Sequence, residues 1–81
     1  MSIRIQGFEW DEFNASHLEH SHPHVALELL EEIVAEAKEY ALLGQDRHGK
    51  KVFAAKRAGL LVLFNLKPGS IARIFSVHEV G

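Results

Sequence analysis

Apolar and polar residues alternate at the start of the chain, from Ile3 to Gln6 and again from Phe8 to Trp10. Alternation over several residues is typical of a strand with one face against a core. Gly7 separates the two runs, and a glycine inside a strand pattern often marks a bulge. The pattern therefore predicts a first strand through these residues, with a bulge at Gly7.

The segment after this strand predicts a short helix. Asp11 suits an N-cap, because its carboxylate can accept hydrogen bonds from the first free backbone N–H groups of a helix. Glu12 suits the first helical turn, where a negative charge interacts favourably with the helix dipole. We expect this helix to end around His20.

A second helix is predicted after a proline. Pro23 interrupts the first helix, but proline is favoured in the first turn of a helix, so we expect the second helix to begin at Ser21 or His22. Apolar residues then recur at helical spacing, which predicts one face against a core. These residues are Ala26, Leu29, Leu30, Ile33 and Ala37.

Beyond Lys38 the pattern changes from helical to extended. Strands are expected to begin near residue 40 and to cover residues 52–55, 60–66 and 71–77, with turn signals at 46–49, 58–59 and 67–70. These connections are too short for crossover helices, so the last strands should form an antiparallel meander. The predicted fold is α+β, a small antiparallel β-sheet in the order β-α-α-β-β-β-β with both N-terminal helices packed on one face.

The chain has 81 residues, of which 47% are hydrophobic and 25% charged, and this predicts a single domain over residues 1–81. A domain of this size buries only about 60% of the surface of its unfolded chain, so a permanent partner or a homo-oligomer would add stability. The chain contains no cysteine, signal-peptide pattern or long apolar run. We expect a cytoplasmic protein with no membrane association.

Charge is distributed unevenly although the net charge is only −2. Ten of the eleven acidic residues lie between Glu9 and Asp46, whereas the segment from Arg47 to His78 holds seven lysines and arginines and no acid. Such asymmetry indicates polyanion binding. Lysines and arginines that keep strand edges soluble are the alternative interpretation.

Four of the six histidines lie in "HLEHSHPHV", residues 17–25. His17 and His20 are spaced to share a helical face, but no cysteine or HExxH spacing accompanies them, so we expect no metal site. Histidines near a helix C-terminus also interact favourably with the dipole. Imidazole titrates near neutral pH, so one of these residues could instead serve as a general acid or base.

Several stretches, in their order and spacing, resemble the BrnT toxins of bacterial type II toxin–antitoxin systems. The resemblance runs the whole length of the chain. It is carried by "FEWDEFN" at residues 8–14, "HLEHSHPHV", "LEEIV" at residues 30–34, "LLGQDRHGK" at residues 42–50 and "ARIFSV" at residues 72–77.

The resemblance implies a RelE-like fold and a ribonuclease that needs no cofactor, in which the ribose 2′-hydroxyl attacks the adjacent phosphate. Carried over by residue, it nominates His20 as the helix-end histidine, with His22 and His24 as alternatives, and Arg73 as the first arginine of the last strand's motif. His78 stands where that motif has a second arginine. We expect Arg73 to hold the scissile phosphate on a concave basic surface, whereas strict alternation along the strand would place His78 on the opposite face.

The basic half supplies candidate RNA-binding residues, namely Lys50, Lys51, Lys56 and Arg57. The resemblance also implies a cognate BrnA-like antitoxin as partner, RNA as substrate, and contact with DNA only through that antitoxin. Two alternatives stay open. The first is a non-catalytic relative that binds protein or nucleic acid, and the second is a metal site in the histidine-rich segment.

Overall fold

A computed structural model describes residues 4–57 and 59–80. Its elements confirm the predicted α+β class and the predicted order β-α-α-β-β-β-β. They are β1 (Gly7–Phe8), α1 (Glu12–Ser21), α2 (Leu27–Glu36), β2 (Ala41–Gln45), β3 (Lys51–Arg57), β4 (Leu60–Lys67) and β5 (Ile71–Glu79). Ile3, where the predicted first strand starts, and Ala58 of the predicted turn at 58–59 lie outside the described residues.

The five strands form one sheet in the order β1-β5-β4-β3-β2. Strands β2 to β5 pair antiparallel in sequence order, which confirms the predicted meander. Strand β1, however, pairs with β5 in parallel, through Gly7 with Ile71 and Phe8 with Ala72. The prediction of a purely antiparallel sheet is therefore wrong, because β1 is the outer neighbour of the last strand and runs in the same direction.

Strand β1 is also shorter than the alternation predicts. Only two residues form it, although the backbone N–H groups of Gln6 and Glu9 continue the pairing by donating to the carbonyls of Ser70 and Ala72, each at 2.9 Å. Ile5, Phe8 and Trp10 pack against the core. The alternation thus predicted correctly which side chains face the core, whereas the length of β1 depended on its pairing with β5.

Helix α1 begins where Asp11 predicts it to begin. The Oδ1 atom of Asp11 accepts hydrogen bonds from the backbone N–H groups of Phe13 and Asn14, at 2.8 and 3.1 Å. In return the Asn14 side-chain oxygen accepts from the Asp11 N–H at 2.8 Å, which completes a capping box. The cap, the first turn and the approximate end of this helix are confirmed.

The predicted start of α2 at Ser21 or His22 is wrong. Ser21 is the last residue of α1, and the backbone N–H of His22 still donates to the Leu18 carbonyl at 2.8 Å. Pro23 lies in the turn that follows, and α2 begins only at Leu27. The proline ends one helix rather than opening the next, because α1 continues its hydrogen bonding up to His22.

Both helices cover the same face of the sheet, as predicted. Leu18 of α1 and Leu30, Ile33 and Val34 of α2 are buried against it. The sheet contributes residues of its three central strands to this core, at alternate positions in β3 and β4. They are Phe53 and Ala55 of β3, Leu60, Val62 and Phe64 of β4, and Ala72, Ile74 and Val77 of β5.

Candidate functional site

The second face of the sheet is not covered by either helix, and we call it the open face. Because side chains alternate along a strand, its residues are those between the core positions. They include Ala54 and Lys56 of β3, Leu61 and Leu63 of β4, and Arg73, Ser76 and His78 of β5. Leu61 and Leu63 are only half-buried, so this face is partly apolar and partly exposed to solvent.

A bulge in β5 decides which side chains reach the open face. Leu63 pairs with Ser76 but the next residue, Phe64, pairs with Ile74, so Phe75 has no partner in β4. The extra residue reverses the alternation, and the buried residues Ile74 and Val77 are three positions apart. Arg73 and His78 therefore lie on the same face, and the expectation that they would point in opposite directions is wrong.

His78 lies in a row of side chains that crosses three strands. Lys56 of β3 pairs with Leu61 of β4, and Leu61 pairs with His78 of β5. Residues opposite one another on paired strands share a face, and two strand spacings place the backbones of Lys56 and His78 about 10 Å apart. Both side chains are exposed. The His78 ring nitrogen Nε2 is 3.2 Å from the Ser76 hydroxyl, which restrains the orientation of the ring.

Arg73 is held by two carboxylates. Its Nη1 atom donates to Asp11 Oδ2 at 2.6 Å and lies 3.4 Å from Glu9 Oε1, and Glu9 also pairs with Lys67 at 2.6 Å. The hydrogen bond from Arg73, aided by the Asn14 backbone N–H, lowers the pKa of Asp11 below its ordinary value. A phosphate at Arg73 would have to compete with these carboxylates.

His20 lies apart from the open face. It is exposed in the last turn of α1, in the layer that covers the opposite face of the sheet. Within the described ranges, no hydrogen bond or ion pair joins His20 to Arg73. The structure therefore brings Arg73 and His78 to one face, but not His20.

The remaining histidines of "HLEHSHPHV" lie at the turn between the helices. His24 Nε2 is 2.5 Å from Glu79 Oε1 at the end of β5, and both side chains are more than half exposed. The rings of His22 and His24 are 6.3 Å apart between centroids. Among residues 4–57 and 59–80, no three histidine or carboxylate side chains are grouped closely enough to bind a metal ion.

The four predicted RNA-binding residues do not form one surface. Lys50 precedes β3 in the turn, where its backbone N–H donates to Asp46 Oδ1 at 3.0 Å. Lys51 is the exposed first residue of β3. Lys56 lies on the open face, whereas Arg57 points to the helix side and pairs with Glu32 of α2 at 3.0 Å. Lys56 is thus the member of this set that is placed beside His78.

An open hollow of about 350 Å³ adjoins the same row. Its lining comes from the two residues before β2, the first residue of β2, and β3 and β4. It consists of Glu39, Tyr40, Ala41, Ala54, Lys56 and Leu61. The sequence did not nominate Glu39 or Ser76 as site residues. The alternation in β3 already placed Ala54 and Lys56 on one face, but the neighbours of that face depend on the order of the strands.

Comparison with known proteins adds no relative to these observations, since no family profile, curated protein or solved structure matches the chain significantly. Neither described helix combines the length and the apolar character needed to cross a bilayer. The resemblance to BrnT toxins therefore stays a prediction from the sequence.

Proposed function

We propose that this chain is a metal-independent endoribonuclease toxin of the BrnT type, with a RelE-like arrangement, that binds RNA on the open face of its sheet. The observation that supports the proposal most is the row formed by Lys56, Leu61 and His78, which exists because the bulge at Phe75 turns His78 toward the open face. In this row the apolar side chain of Leu61 lies between the cationic Lys56 and the imidazole of His78.

The chemistry assigned to this row needs no cofactor. His78 accepts the proton of a ribose 2′-hydroxyl, whose oxygen forms a bond to the adjacent phosphorus. The bond from phosphorus to the 5′-oxygen breaks, that oxygen takes a proton from water, and a 2′,3′-cyclic phosphate remains. Lys56 stabilises the negative charge that develops on the phosphate oxygens. His78 releases its proton to solvent before the next cycle.

This proposal gives Arg73 and His20 roles that differ from those that the sequence predicts. Arg73 lies on the open face but is engaged by Asp11 and Glu9, so its role in this proposal is to hold β5 to the start of α1. His20 lies in the helix layer and takes no part in the reaction. Lys50 and Lys51 at the hairpin end attract the RNA backbone without base preference.

Cleavage of single-stranded RNA in the presence of a chelator tests the proposal. We expect wild-type protein to cleave it, His78→Gln to be at least about 100-fold slower, and Lys56→Ala about tenfold slower. His48→Gln is the matched control, because His48 is exposed in the turn that precedes β3, whereas Lys56 lies near the other end of that strand. Equal rates for His78→Gln and wild type would refute the role of His78.

A non-catalytic binding module is the second candidate. It is favoured by the compensated charge of Arg73 and by the half-buried leucines Leu61 and Leu63, which resemble the centre of an interaction surface. Absence of cleavage, together with RNA or protein binding that Lys56→Ala weakens, would select this candidate.

The toxin proposal also assigns partners. A BrnA-like antitoxin would inhibit the protein by covering the open face. The protein would contact DNA only through that antitoxin. Toxin and antitoxin would act in the cytoplasm. Induced expression in bacteria should slow growth, and His78→Gln should relieve that effect. Sedimentation of the purified chain would show whether it also forms a homo-oligomer.

A further inference from the structure

The hollow beside the row indicates which RNA base the protein recognises, an inference that rests on the proposed ribonuclease function. We infer that the hollow binds a guanine base of single-stranded RNA, with Glu39 as the residue that recognises it. Its volume of about 350 Å³ lies within the range of small-ligand sites.

The position of the hollow suits a nucleotide next to the scissile phosphate. Lys56 and Leu61 line the hollow and also belong to the row that ends at His78. A base in the hollow would therefore place the phosphate that follows it on its 3′ side between Lys56 and His78. Single-stranded RNA can present bases in this way, because its bases can leave the stack and insert into protein pockets.

The lining supplies both contacts that a base needs. Ala41, Ala54 and Leu61 form an apolar floor for the flat surface of the ring. Glu39 is the acidic residue of the lining, and an ionised carboxylate only accepts hydrogen bonds. In the described part of the chain, the side chains of Glu39 and Lys56 take part in no hydrogen bond or ion pair.

Guanine matches that acceptor better than the other bases. Its Watson–Crick edge offers the N1–H and the N2 amino group side by side, so that both oxygens of one carboxylate can accept. Adenine and cytosine present one amino group next to an acceptor nitrogen, and uracil presents a single N–H between two carbonyls. A carboxylate would meet a repulsive acceptor in each of these three cases.

Binding of mononucleotides tests the assignment without depending on cleavage. We would titrate the four nucleoside 3′-monophosphates and guanosine itself into the full chain and follow the backbone amide resonances of Ala41, Ala54 and Leu61. We expect guanosine monophosphate to bind at least about tenfold more tightly than the other three, as charge-assisted hydrogen bonds permit. Guanosine without phosphate should shift the same resonances.

Variants identify the residue responsible. Glu39→Gln should remove the preference for guanine while leaving the fold unchanged, and Glu28→Gln, an exposed glutamate of α2, is the matched control. In RNA cleavage, Glu39→Gln should lose selectivity for sites next to guanosine more than it loses total rate.

Three results would overturn the inference. Equal affinity for all four mononucleotides would show that Lys56 binds phosphate alone. An unchanged preference in Glu39→Gln would place recognition elsewhere. Binding of N-acetylarginine amide with no response to guanosine would assign the hollow to an arginine of a protein partner. If cleavage that depends on His78 accompanies any of these results, the proposed function survives and only the base assignment fails.

Discussion

The two ends of β5 differ in how their polar side chains are engaged. At the ion-paired end, residues 71–74, Arg73 is held by Asp11 and Glu9, and its side chain is only 23% exposed. At the exposed end, residues 76–78, His78 contacts the Ser76 hydroxyl and otherwise faces solvent. The bulge at Phe75 separates the two ends.

The comparison indicates which polar residues maintain the fold and which are accessible to a ligand. A guanidinium that already has carboxylate partners loses those contacts when it binds a phosphate, so its net gain is small. An exposed imidazole beside a lysine has no such loss. The ion-paired end is therefore expected to govern stability, and the exposed end to govern binding and reaction.

The largest expected effect is that of Asn14→Ala at the ion-paired end. The buried amide of Asn14 donates to the carbonyls of Glu9 and Ile74, at 3.0 and 2.9 Å, and so ties α1 to β1 and β5. Removing it leaves buried backbone groups without partners, which should lower the free energy of unfolding by about 3 kcal/mol. Urea denaturation measures this change.

Ser16→Ala is the control for that variant, because Ser16 is exposed on the same helix. Its effect should stay within about 0.5 kcal/mol. An Asn14→Ala protein as stable as wild type would show that the ion-paired end does not hold the fold together.

Arg73→Ala should have the next largest effect on stability. We expect a loss of about 1 kcal/mol, or about 4–8 °C in Tm for a domain of this size, because Glu9 and Asp11 lose their shared partner. Lys56→Ala, in the row that ends at His78 of the exposed end, should change Tm little. Thermal unfolding of the two variants compares the ends directly.

The opposite result for Arg73→Ala would support the sequence prediction that Arg73 holds the scissile phosphate. If Arg73→Ala keeps the wild-type Tm but weakens RNA binding and makes its salt dependence shallower by about one counterion, Arg73 holds a phosphate. The carboxylates around it would then be displaced when RNA binds.

A smaller effect is expected in acid. The pKa of Asp11 is lowered in the folded protein from its ordinary 3.8, chiefly by the hydrogen bond from Arg73. A lowered folded-state pKa gives stability that is present above pH 3.8 and is lost as pH falls through the folded-state value. Asp11→Asn should therefore make stability less dependent on pH below about 4.

Asp46 provides a comparison for this titration. Its pKa is also lowered, mainly by the backbone N–H of Lys50, but it lies in the β2–β3 turn away from both ends of β5. Arg73→Ala should raise the pKa of Asp11 and leave that of Asp46 unchanged, as followed by carboxyl carbon NMR. Equal movement of both pKa values would argue against a direct Arg73–Asp11 contact in solution.

The smallest expected effect concerns zinc at the histidine-rich segment, whose His24 contacts β5 just beyond the exposed end. We predict no binding at physiological zinc concentrations, because the described histidines do not converge on one point. Calorimetric titration of the protein with zinc measures this. A stoichiometric submicromolar site that disappears in His17→Ala or His20→Ala would contradict it.

The sequence by itself determined the local elements. Asp11 marks the start of α1, the turn signals at 46–49 and 67–70 mark the hairpins, and the apolar run from residue 60 marks the central strand. Each of these depends on neighbours within a few positions, where capping, turn geometry and side-chain periodicity act. The acidic and basic halves were also visible without a structure.

The tertiary structure decided how those elements meet. The parallel pairing of β1 and the bulge at Phe75 each depend on residues far away in sequence, and one extra residue in a strand turns the side chains beyond it to the other face. Alternation alone predicted that Arg73 and His78 lie on opposite faces of the sheet, whereas the register of β5 against β4 places them on the same face. The partners of Arg73, Asp11 and Glu9, lie more than sixty positions away, and no local pattern in the sequence reports a contact of that separation.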